Sequence, residues 1–177
     1  MKPVYCWISL GSNHERHYQI SRALQALQAE FGELKVSQVY ETQPVGIKVK
    51  NCAPFYNLVA GFYTLLKPSE LNALLKQIEG NEKYLRPEDQ SVYVRALDLD
   101  IISWGKAAGL VDGVQLPYPD LLKHDFVLLP MAELEPNQKP AGYKQSYLEL
   151  WQAHAHAEQI MKPVELTWQA LLPATQD

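Results

Sequence analysis

The 177-residue chain is poor in cysteine, in positive charge and in long apolar runs. Its two cysteines are too few for a disulfide framework and show no metal-ligand spacing. The formal net charge is −4, whereas a nucleic-acid-binding domain usually carries a basic stripe, so we expect no nucleic-acid partner. No stretch is apolar for long enough to span a bilayer or to form a signal peptide. We therefore expect a cytoplasmic protein without a membrane partner.

The composition is typical of one globular domain. Hydrophobic residues make up 47% and charged residues 20% of the chain. A chain of 177 residues can bury one sizeable core. Because no repeat or linker divides the sequence, we expect a single domain over residues 1–177, and a monomer rather than an oligomer.

Hydrophobic periodicity predicts an α+β fold. Strands are predicted at about 4–10, 34–40, 55–65 and 97–104, and helices at about 15–31, 68–78, 126–134 and 147–159. The strands outnumber the helices between them, which favours a mainly antiparallel sheet with helices packed on it. Two irregular stretches, 41–54 and 84–94, are predicted to be loops, and loops of this length in a compact domain are usually functional or mobile.

The most informative motif is the run from Arg95 to Ile102, in which Asp98 and Asp100 alternate with aliphatic residues. Side chains at i and i+2 share one face of a strand, roughly 6.6 Å apart, so both carboxylates point the same way. Like charges on one face repel unless a cation lies between them, and Mg²⁺ binds carboxylates together with substrate phosphates. The alternative is a solvated strand face neutralised by Arg95 or by a lysine elsewhere. Spacing alone leaves both interpretations open.

Two further motifs have both a functional and an ordinary interpretation. The run Gly11-Ser12-Asn13 is either a phosphate-binding turn before a helix or a plain turn with an N-cap, and it lacks the Lys-Ser/Thr ending of a Walker motif. Phe55 and Asn57 share one face of a strand, where a ring beside an amide suits a flat heterocycle, although strand aromatics are usually core residues. No Ser/His/Asp or Cys/His constellation occurs at a convincing spacing.

Five motifs in this order resemble the 6-hydroxymethyl-7,8-dihydropterin pyrophosphokinase family. They are Leu10-Gly11-Ser12-Asn13, Tyr40-Glu41-Thr42-Gln43-Pro44-Val45-Gly46, Phe55-Tyr56-Asn57, Arg95-Ala96-Leu97-Asp98-Leu99-Asp100-Ile101 and Phe126-Val127-Leu128-Leu129-Pro130-Met131. The resemblance covers residues 4–136 or so and leaves a C-terminal extension, about 137–177, undecided. It implies a ferredoxin-like α+β fold and an ATP-dependent diphosphotransferase of folate biosynthesis. The implied reaction moves pyrophosphate from ATP to the hydroxymethyl group of the pterin and gives AMP.

The resemblance also implies roles for individual residues. Asp98 and Asp100 would bind two Mg²⁺ ions, and together with Arg86 and Arg95 they would form the catalytic group. The pterin would lie between Phe55 and Phe126, with its amide edge read by Asn57 and by the backbone around Thr42, Pro44 and Val45. The residues implied at the nucleotide are Glu79, Arg86, Arg95, Ile101 and Tyr118. The irregular stretches at 46–54 and 85–94 would close over the substrates.

The chain departs from the family pattern mainly where phosphate is expected. Val92 stands where the family usually has a tryptophan over the pterin, and Tyr84 and His124 stand where it has arginines. Tyr118 replaces a histidine of the nucleotide pocket. These departures leave two alternatives open: a catalytically weak pterin-binding paralogue acting as a sensor or scaffold, or a kinase of a related hydroxymethyl heterocycle.

Overall fold

The structure is a computed structural model that describes residues 1–44, 51–80, 84–85, 92–154 and 160–169, with the backbone alone at 51, 84, 85, 92 and 93. Its helices are α1 (Arg16–Phe31), α2 (Pro68–Glu79), α3 (Asp125–Leu134) and α4 (Tyr147–Ala153). Its strands are β1 (Val4–Ser12), β2 (Lys35–Val36), β3 (Val39–Thr42), β4 (Asn51–Cys52), β5 (Phe55–Thr64), β6 (Tyr84–Leu85), β7 (Val92–Arg95), β8 (Asp98–Trp104), β9 (Gly109–Val111), β10 (Val114–Leu116) and β11 (Met161–Val164).

A six-stranded sheet organises the fold. Its order is β11-β3-β5-β1-β8, and β2 also pairs with β5. Every pairing within this sheet is antiparallel, which confirms the α+β prediction. β4, β6 and β7 form a separate small sheet, and β9 and β10 form a hairpin. The loops predicted at 41–54 and 84–94 thus contain short strands, and residues 45–50, 81–83 and 86–91 lie outside the described part of the chain.

Alternating side chains place one apolar cluster on each face of the sheet. Ile8 of β1 belongs to the cluster under α1 and α2, whereas its neighbour Trp7 belongs to the cluster under α3 and α4. The register of β1 against β8 shifts between Trp7 and Ile8. Ile8 pairs with Ile101 and Trp7 pairs with Ser103, so Ile102 is an extra residue of β8 at this β-bulge, which strict alternation does not predict.

The helix boundaries follow recognisable end signals. α1 ends at Phe31, and the following Gly32, whose φ of 79° suits glycine, closes the helix as predicted. α2 begins at Pro68, whose fixed φ suits a first-turn position. α4 begins after Ser146, whose side chain accepts a hydrogen bond from the Glu149 backbone nitrogen. α4 ends at Ala153, earlier than predicted, and residues 155–159 lie outside the described ranges.

The strand predicted at 34–40 is wrong as a single element. Ser37 interrupts it: the Ser37 nitrogen donates to the Val59 oxygen at 2.9 Å, and the Ser37 hydroxyl accepts from the Val59 nitrogen at 2.9 Å. A side-chain hydroxyl thus replaces one ladder contact, and the strand divides into β2 and β3. The division carries Thr42 into β3, so Thr42 is part of the sheet and not of the predicted loop.

No local pattern in the sequence predicts β11, which pairs with the outer edge of β3. After β11 the chain contacts α1, where the Gln25 side chain donates to the Trp168 carbonyl at 2.7 Å. Trp168 also packs against the apolar cluster beneath α1. None of the described helices is long and apolar enough to cross a membrane.

Candidate active site

A cavity of about 240 Å³ opens beneath α3, at the end of the sheet where β1 finishes and β8 begins. Its lining comprises Gly11, Thr42, Gln43, Pro44, Phe55, Asn57, Arg95, Asp98, His124 and Phe126. Seven of these were predicted at a site from the sequence: Thr42, Pro44, Phe55, Asn57, Arg95, Asp98 and Phe126. A larger cavity of about 450 Å³ has a different lining, including Tyr5, Trp7 and Tyr63, and contains none of the predicted site residues.

Gly11 makes room for this cavity. It lies within β1, between Asn57 on β5 and Asp98 on β8 in the sheet register. A Cβ atom at Gly11 would lie 2.9 Å from the Asn57 Oδ1 atom, closer than real Cβ contacts come. The missing side chain therefore keeps the space between the amide and the carboxylate open. Both sequence interpretations of Gly11-Ser12-Asn13 as a turn are wrong, because β1 continues through Ser12.

Asn57 and Thr42 form a fixed polar pair in one wall. The Asn57 Nδ2 atom donates to the Thr42 hydroxyl at 2.7 Å, and both residues are buried. Thr42 faces Phe55 across the β3–β5 pairing, so the ring, the hydroxyl and the amide lie on one face of the sheet. The aromatic-plus-amide pattern predicted from Phe55 and Asn57 is therefore present in the cavity wall.

The opposite wall is an aromatic stack that begins before the first turn of α3. The His124 ring lies parallel to the Phe126 ring, with centroids 4.7 Å apart and 21° between the planes. The Tyr118 hydroxyl is 3.4 Å from His124 Nδ1. Burial lowers the pKa of His124, so its ring is neutral near pH 7. This position thus supplies an aromatic surface, not the positive charge of an arginine.

Asp98 and Asp100 form a partly exposed carboxylate pair at the edge of the cavity. Their side chains are 19% and 33% exposed. Burial, followed by the charge of Asp100, raises the pKa of Asp98 to about 7. The Arg95 Nη2 atom contacts Asp98 Oδ1 at 2.5 Å, and the Lys76 Nζ atom lies 3.7 Å from Asp100 Oδ1. The pair is therefore close enough to repel and only partly neutralised.

Glu79 supports this carboxylate pair from behind. Its side chain is 1% exposed, and its Oε1 atom accepts hydrogen bonds from the Leu99 nitrogen at 2.9 Å and from Lys76 Nζ at 2.6 Å. Burial alone would lower the pKa of Lys76, but the hydrogen bond that Lys76 donates to Glu79 and the charge of Asp100 raise it overall. Glu79 and Lys76 thus join α2 to the strand between the two aspartates.

Asn13 positions the backbone of Arg95. Its Oδ1 atom accepts from the Arg95 nitrogen at 2.6 Å, and its backbone nitrogen donates to the Arg95 carbonyl at 3.0 Å. This two-way contact connects the end of β1 to the end of β7. The sequence analysis placed Asn13 only in a turn before the helix. The actual contact spans 82 positions in sequence and leaves no local signal.

The other predicted nucleotide residues have different surroundings. Ile101 is 5% exposed and packs in the core beneath α1 and α2. Tyr118 is half-buried, its nitrogen donates to the Ile102 carbonyl at 2.8 Å, and burial followed by the charge of Asp100 raises its pKa to about 12. Arg86 and Val45 lie outside the described residues, as do the side chains of Tyr84 and Val92.

Comparisons with known proteins identify the family. Residues 7–136 match the model of 7,8-dihydro-6-hydroxymethylpterin-pyrophosphokinase. A 2-amino-4-hydroxy-6-hydroxymethyldihydropteridine pyrophosphokinase from Porphyromonas gingivalis is 32% identical over 134 residues, which are 73% of this chain and 90% of that protein. The proteins of the same name from Bacillus subtilis and Aquifex aeolicus are each 34% identical, over 72% and 77% of this chain and 76% and 82% of their own lengths.

Solved structures agree on the fold. The Plasmodium falciparum HPPK-DHPS wild type with pterin and p-hydroxybenzoate superposes with a TM-score of 0.67 at 16% identity. The match covers 86% of this chain and 42% of that longer one, so this chain spans less than half of its length. The likeness supports the ferredoxin-like α+β fold. The match to the family model and the identity to the three bacterial relatives show that the chain belongs to the 7,8-dihydro-6-hydroxymethylpterin-pyrophosphokinase family, whose members catalyse ATP-dependent pyrophosphate transfer in folate biosynthesis.

Proposed function

We propose that this chain transfers pyrophosphate from ATP to 6-hydroxymethyl-7,8-dihydropterin at the 240 Å³ cavity. The observation that carries the proposal is the placement of Phe55, Asn57 and Phe126 in one cavity with Asp98. Two ring faces and a fixed amide suit a flat heterocycle with hydrogen-bonding edges, and a carboxylate pair beside them suits phosphate chemistry. All of these groups come from one chain, which is consistent with a monomeric enzyme.

The walls of the cavity account for pterin binding. The ring would lie between Phe55 and Phe126, where stacking contributes about 1 kcal/mol per aromatic contact beyond burial. Asn57 would read the amide edge, with its orientation fixed by the Thr42 hydroxyl. The backbone at Thr42, Pro44 and Val45 would complete the reading of that edge. Such a site recognises the ring and leaves the hydroxymethyl group directed towards the aspartates.

Asp98 and Asp100 fit Mg²⁺, and we propose that they hold two such ions. Within the described ranges no group of three or more His, Cys, Asp and Glu side chains could hold a metal by itself. Mg²⁺ does not need one, because it commonly binds one or two carboxylates together with substrate phosphates and water. When bound, it would neutralise phosphate charge and make the pterin hydroxyl a better nucleophile.

The protein's own groups would position the reactants and stabilise the phosphate charge. The hydroxymethyl oxygen would form a bond to the β-phosphorus of ATP as the bond from that phosphorus to the α-phosphate oxygen breaks. AMP leaves with that oxygen, and the hydroxyl releases its proton to water. Arg95, positioned by Asn13 and paired with Asp98, would stabilise the phosphate charge, together with Arg86. No covalent intermediate on the protein is needed.

An assay of AMP formation tests this function. Purified protein, ATP, Mg²⁺ and 6-hydroxymethyl-7,8-dihydropterin should give AMP and the pterin diphosphate in equal amounts. Chelation of Mg²⁺ and Asp98→Asn should each abolish both products. Asp112→Asn is the matched control and should keep full activity. Asp112 is an exposed aspartate on the β9–β10 turn, and it accepts a hydrogen bond from Ser69 of α2. Pterin binding without AMP formation by the unaltered protein would favour the sensor alternative.

A further inference from the structure

The C-terminal segment, defined here as residues 147–154 and 160–169, lies beyond the 7–136 match to the family model. It nevertheless contacts both side walls of the candidate pterin cavity. One contact is made by His154, at the end of α4, and the other by β11. Nothing in the comparisons assigns a role to this part of the chain.

His154 holds the first turn of α3. Its Nε2 atom lies 3.0 Å from Asp125 Oδ1, and the Asp125 side chain is only 8% exposed. Asp125 is the first residue of α3 and lies between His124 and Phe126, the two stacked rings of the cavity wall. Because Asp125 lies between the two stacked residues in sequence, the contact with His154 restrains the position of the His124–Phe126 stack.

The position of His154 is itself fixed by α4. The His154 nitrogen donates to the Leu150 carbonyl at 3.0 Å. Leu150 and Tyr147 pack in the same apolar cluster as Val127 of α3. The imidazole is therefore presented to Asp125 from a packed helix end.

β11 holds the opposite wall. It pairs antiparallel with β3, with Met161 facing Thr42 and Lys162 facing Glu41. Thr42 accepts the hydrogen bond that orients Asn57. Without β11, β3 would be the outer edge of the sheet, and edge strands are less constrained than paired strands. The pairing of β11 with β3 therefore restrains the Thr42 hydroxyl, which orients the Asn57 amide.

The rest of the C-terminal segment anchors β11 to the body of the fold. The Gln38 Nε2 atom donates to the Val164 carbonyl at 2.9 Å, and Gln25 Nε2 donates to the Trp168 carbonyl at 2.7 Å. Val164, Leu166 and Trp168 also pack against the core under α1 and α2. β11 is thus attached at several points and not merely laid along the sheet edge.

We infer that the C-terminal segment is a positioning element for the pterin cavity, with His154 fixing the Phe126 wall and β11 fixing the Thr42–Asn57 wall. The inference rests on the pterin site proposed above. Its consequence is selective: the segment controls the affinity for pterin, while the nucleotide side depends on β8 and α2. Neither His154 nor Lys162 lines the cavity, so each acts through another residue.

Two variants of His154 test the first contact. His154→Ala removes the contact with Asp125, and the Michaelis constant for pterin should rise by about threefold to tenfold. kcat and the Michaelis constant for ATP should stay within about twofold, because no phosphate-binding group is moved. His154→Gln can place an amide nitrogen near the Nε2 position and should restore the pterin value. Gln152→Ala alters an exposed residue of α4 and is the control.

Two variants of Lys162 test the second contact. Hydrogen-bonded pairs alternate along an antiparallel ladder, and Pro163 has no N–H to donate, so the neighbouring Lys162 is suited to donate. Lys162→Pro removes that donor and should again raise the Michaelis constant for pterin selectively. Lys162→Ala keeps the backbone N–H and should match the unaltered protein. Circular dichroism and thermal melts of every variant show whether the fold is kept.

The outcomes separate this inference from the proposed function. Failure of the unaltered protein to form AMP contradicts the proposed function itself. An active protein whose pterin constant is unchanged in both His154→Ala and Lys162→Pro contradicts the inference, as does an equal rise in the constants for pterin and ATP. Should Lys162→Pro fail to fold, the His154→Ala and His154→Gln pair decides, because it changes a single side-chain contact.

Discussion

The two sides of the candidate site differ in charge and in how they are held. The side that contains Gly11, Thr42 and Asn57 is neutral, and a short hydrogen bond between buried groups fixes it. The side that contains Asp98, Asp100 and Glu79 holds three carboxylates. Its described cationic partners are Lys76, which contacts Glu79 and lies near Asp100, and Arg95, which contacts Asp98.

This difference separates the recognition of a ring from the handling of phosphate. Uncharged walls can bind a ring without a further ion. The contact of Asn57 with Thr42 orients one wall, and the stacking of His124 on Phe126 orients the other. Burial and the charge of Asp100 raise the pKa of Asp98, so ionisation of both carboxylates becomes more favourable when cations bind beside them. The neutral side is therefore complete in the protein alone, whereas we propose that metal and nucleotide complete the acidic side.

The largest effect is expected on the acidic side. Asp98→Asn or Asp100→Asn should lower turnover by about a thousandfold or more, because each removes a carboxylate on which phosphate neutralisation depends. The fold should persist, since both side chains are partly exposed and their mutual repulsion is relieved. Mg²⁺ should raise the melting temperature of the unaltered protein more than that of either variant. Near-normal turnover at low millimolar Mg²⁺ would refute the metal assignment.

The neutral side is tested by filling the space at Gly11. Gly11→Ala should raise the Michaelis constant for pterin about tenfold. The new methyl carbon would lie 2.9 Å from Asn57 Oδ1 and would push that amide out of position. Turnover at saturating pterin should fall much less than in the aspartate variants. Gly61→Ala is a matched control on β5, because its methyl group meets Trp7 at 2.6 Å, away from this cavity. It should lower thermal stability without a selective change for pterin.

A smaller effect is expected from adding charge where the sequence departs from the family pattern. A charge-assisted fork to phosphate contributes roughly 1.5–3 kcal/mol when fully formed, and an exposed one contributes less, so His124→Arg should lower the Michaelis constant for ATP about fivefold. The planar guanidinium can still stack on Phe126. His124→Gln adds no charge and should leave the ATP constant unchanged. An equal response to both variants would show that charge at this position is irrelevant.

The smallest effect concerns stability against pH. The pKa of His124 is lowered by burial from 6.5, so the neutral ring is favoured in the folded state. Its contribution is present in full above pH 6.5 and is lost as the pH falls through the lower folded pKa. Denaturant unfolding between pH 7.5 and about 5 should therefore show a shallower loss of stability in His124→Gln than in the unaltered protein. Parallel curves would contradict the burial of this ring.

Local sequence patterns predicted the regular elements well, because their causes are local. The alternation around Asp98 and Asp100 predicted β8, and Pro68 and Gly32 marked helix ends. The bulge at Ile102 depends on the register of β8 with β1, which no local pattern encodes.

Within the candidate site, side chains that act by themselves were the easiest to predict. Phe55, Asn57 and Asp98 stood out from residue type and spacing, and the family resemblance added Phe126. Gly11 was misassigned because its importance lies in an absent atom near Asn57, a residue 46 positions away in the numbering. The pairing of β11 with β3 likewise depends on residues more than a hundred positions apart.

The most direct test of the division between the two sides is one calorimetric comparison of Gly11→Ala with Asp100→Asn. Each protein is titrated with Mg²⁺ and a non-hydrolysable ATP analogue, and then, once saturated, with pterin. We expect a crossed pattern. Gly11→Ala should lose affinity for pterin and keep it for the analogue, whereas Asp100→Asn should lose affinity for the analogue and keep it for pterin. Equal losses of both affinities in both variants would contradict the account.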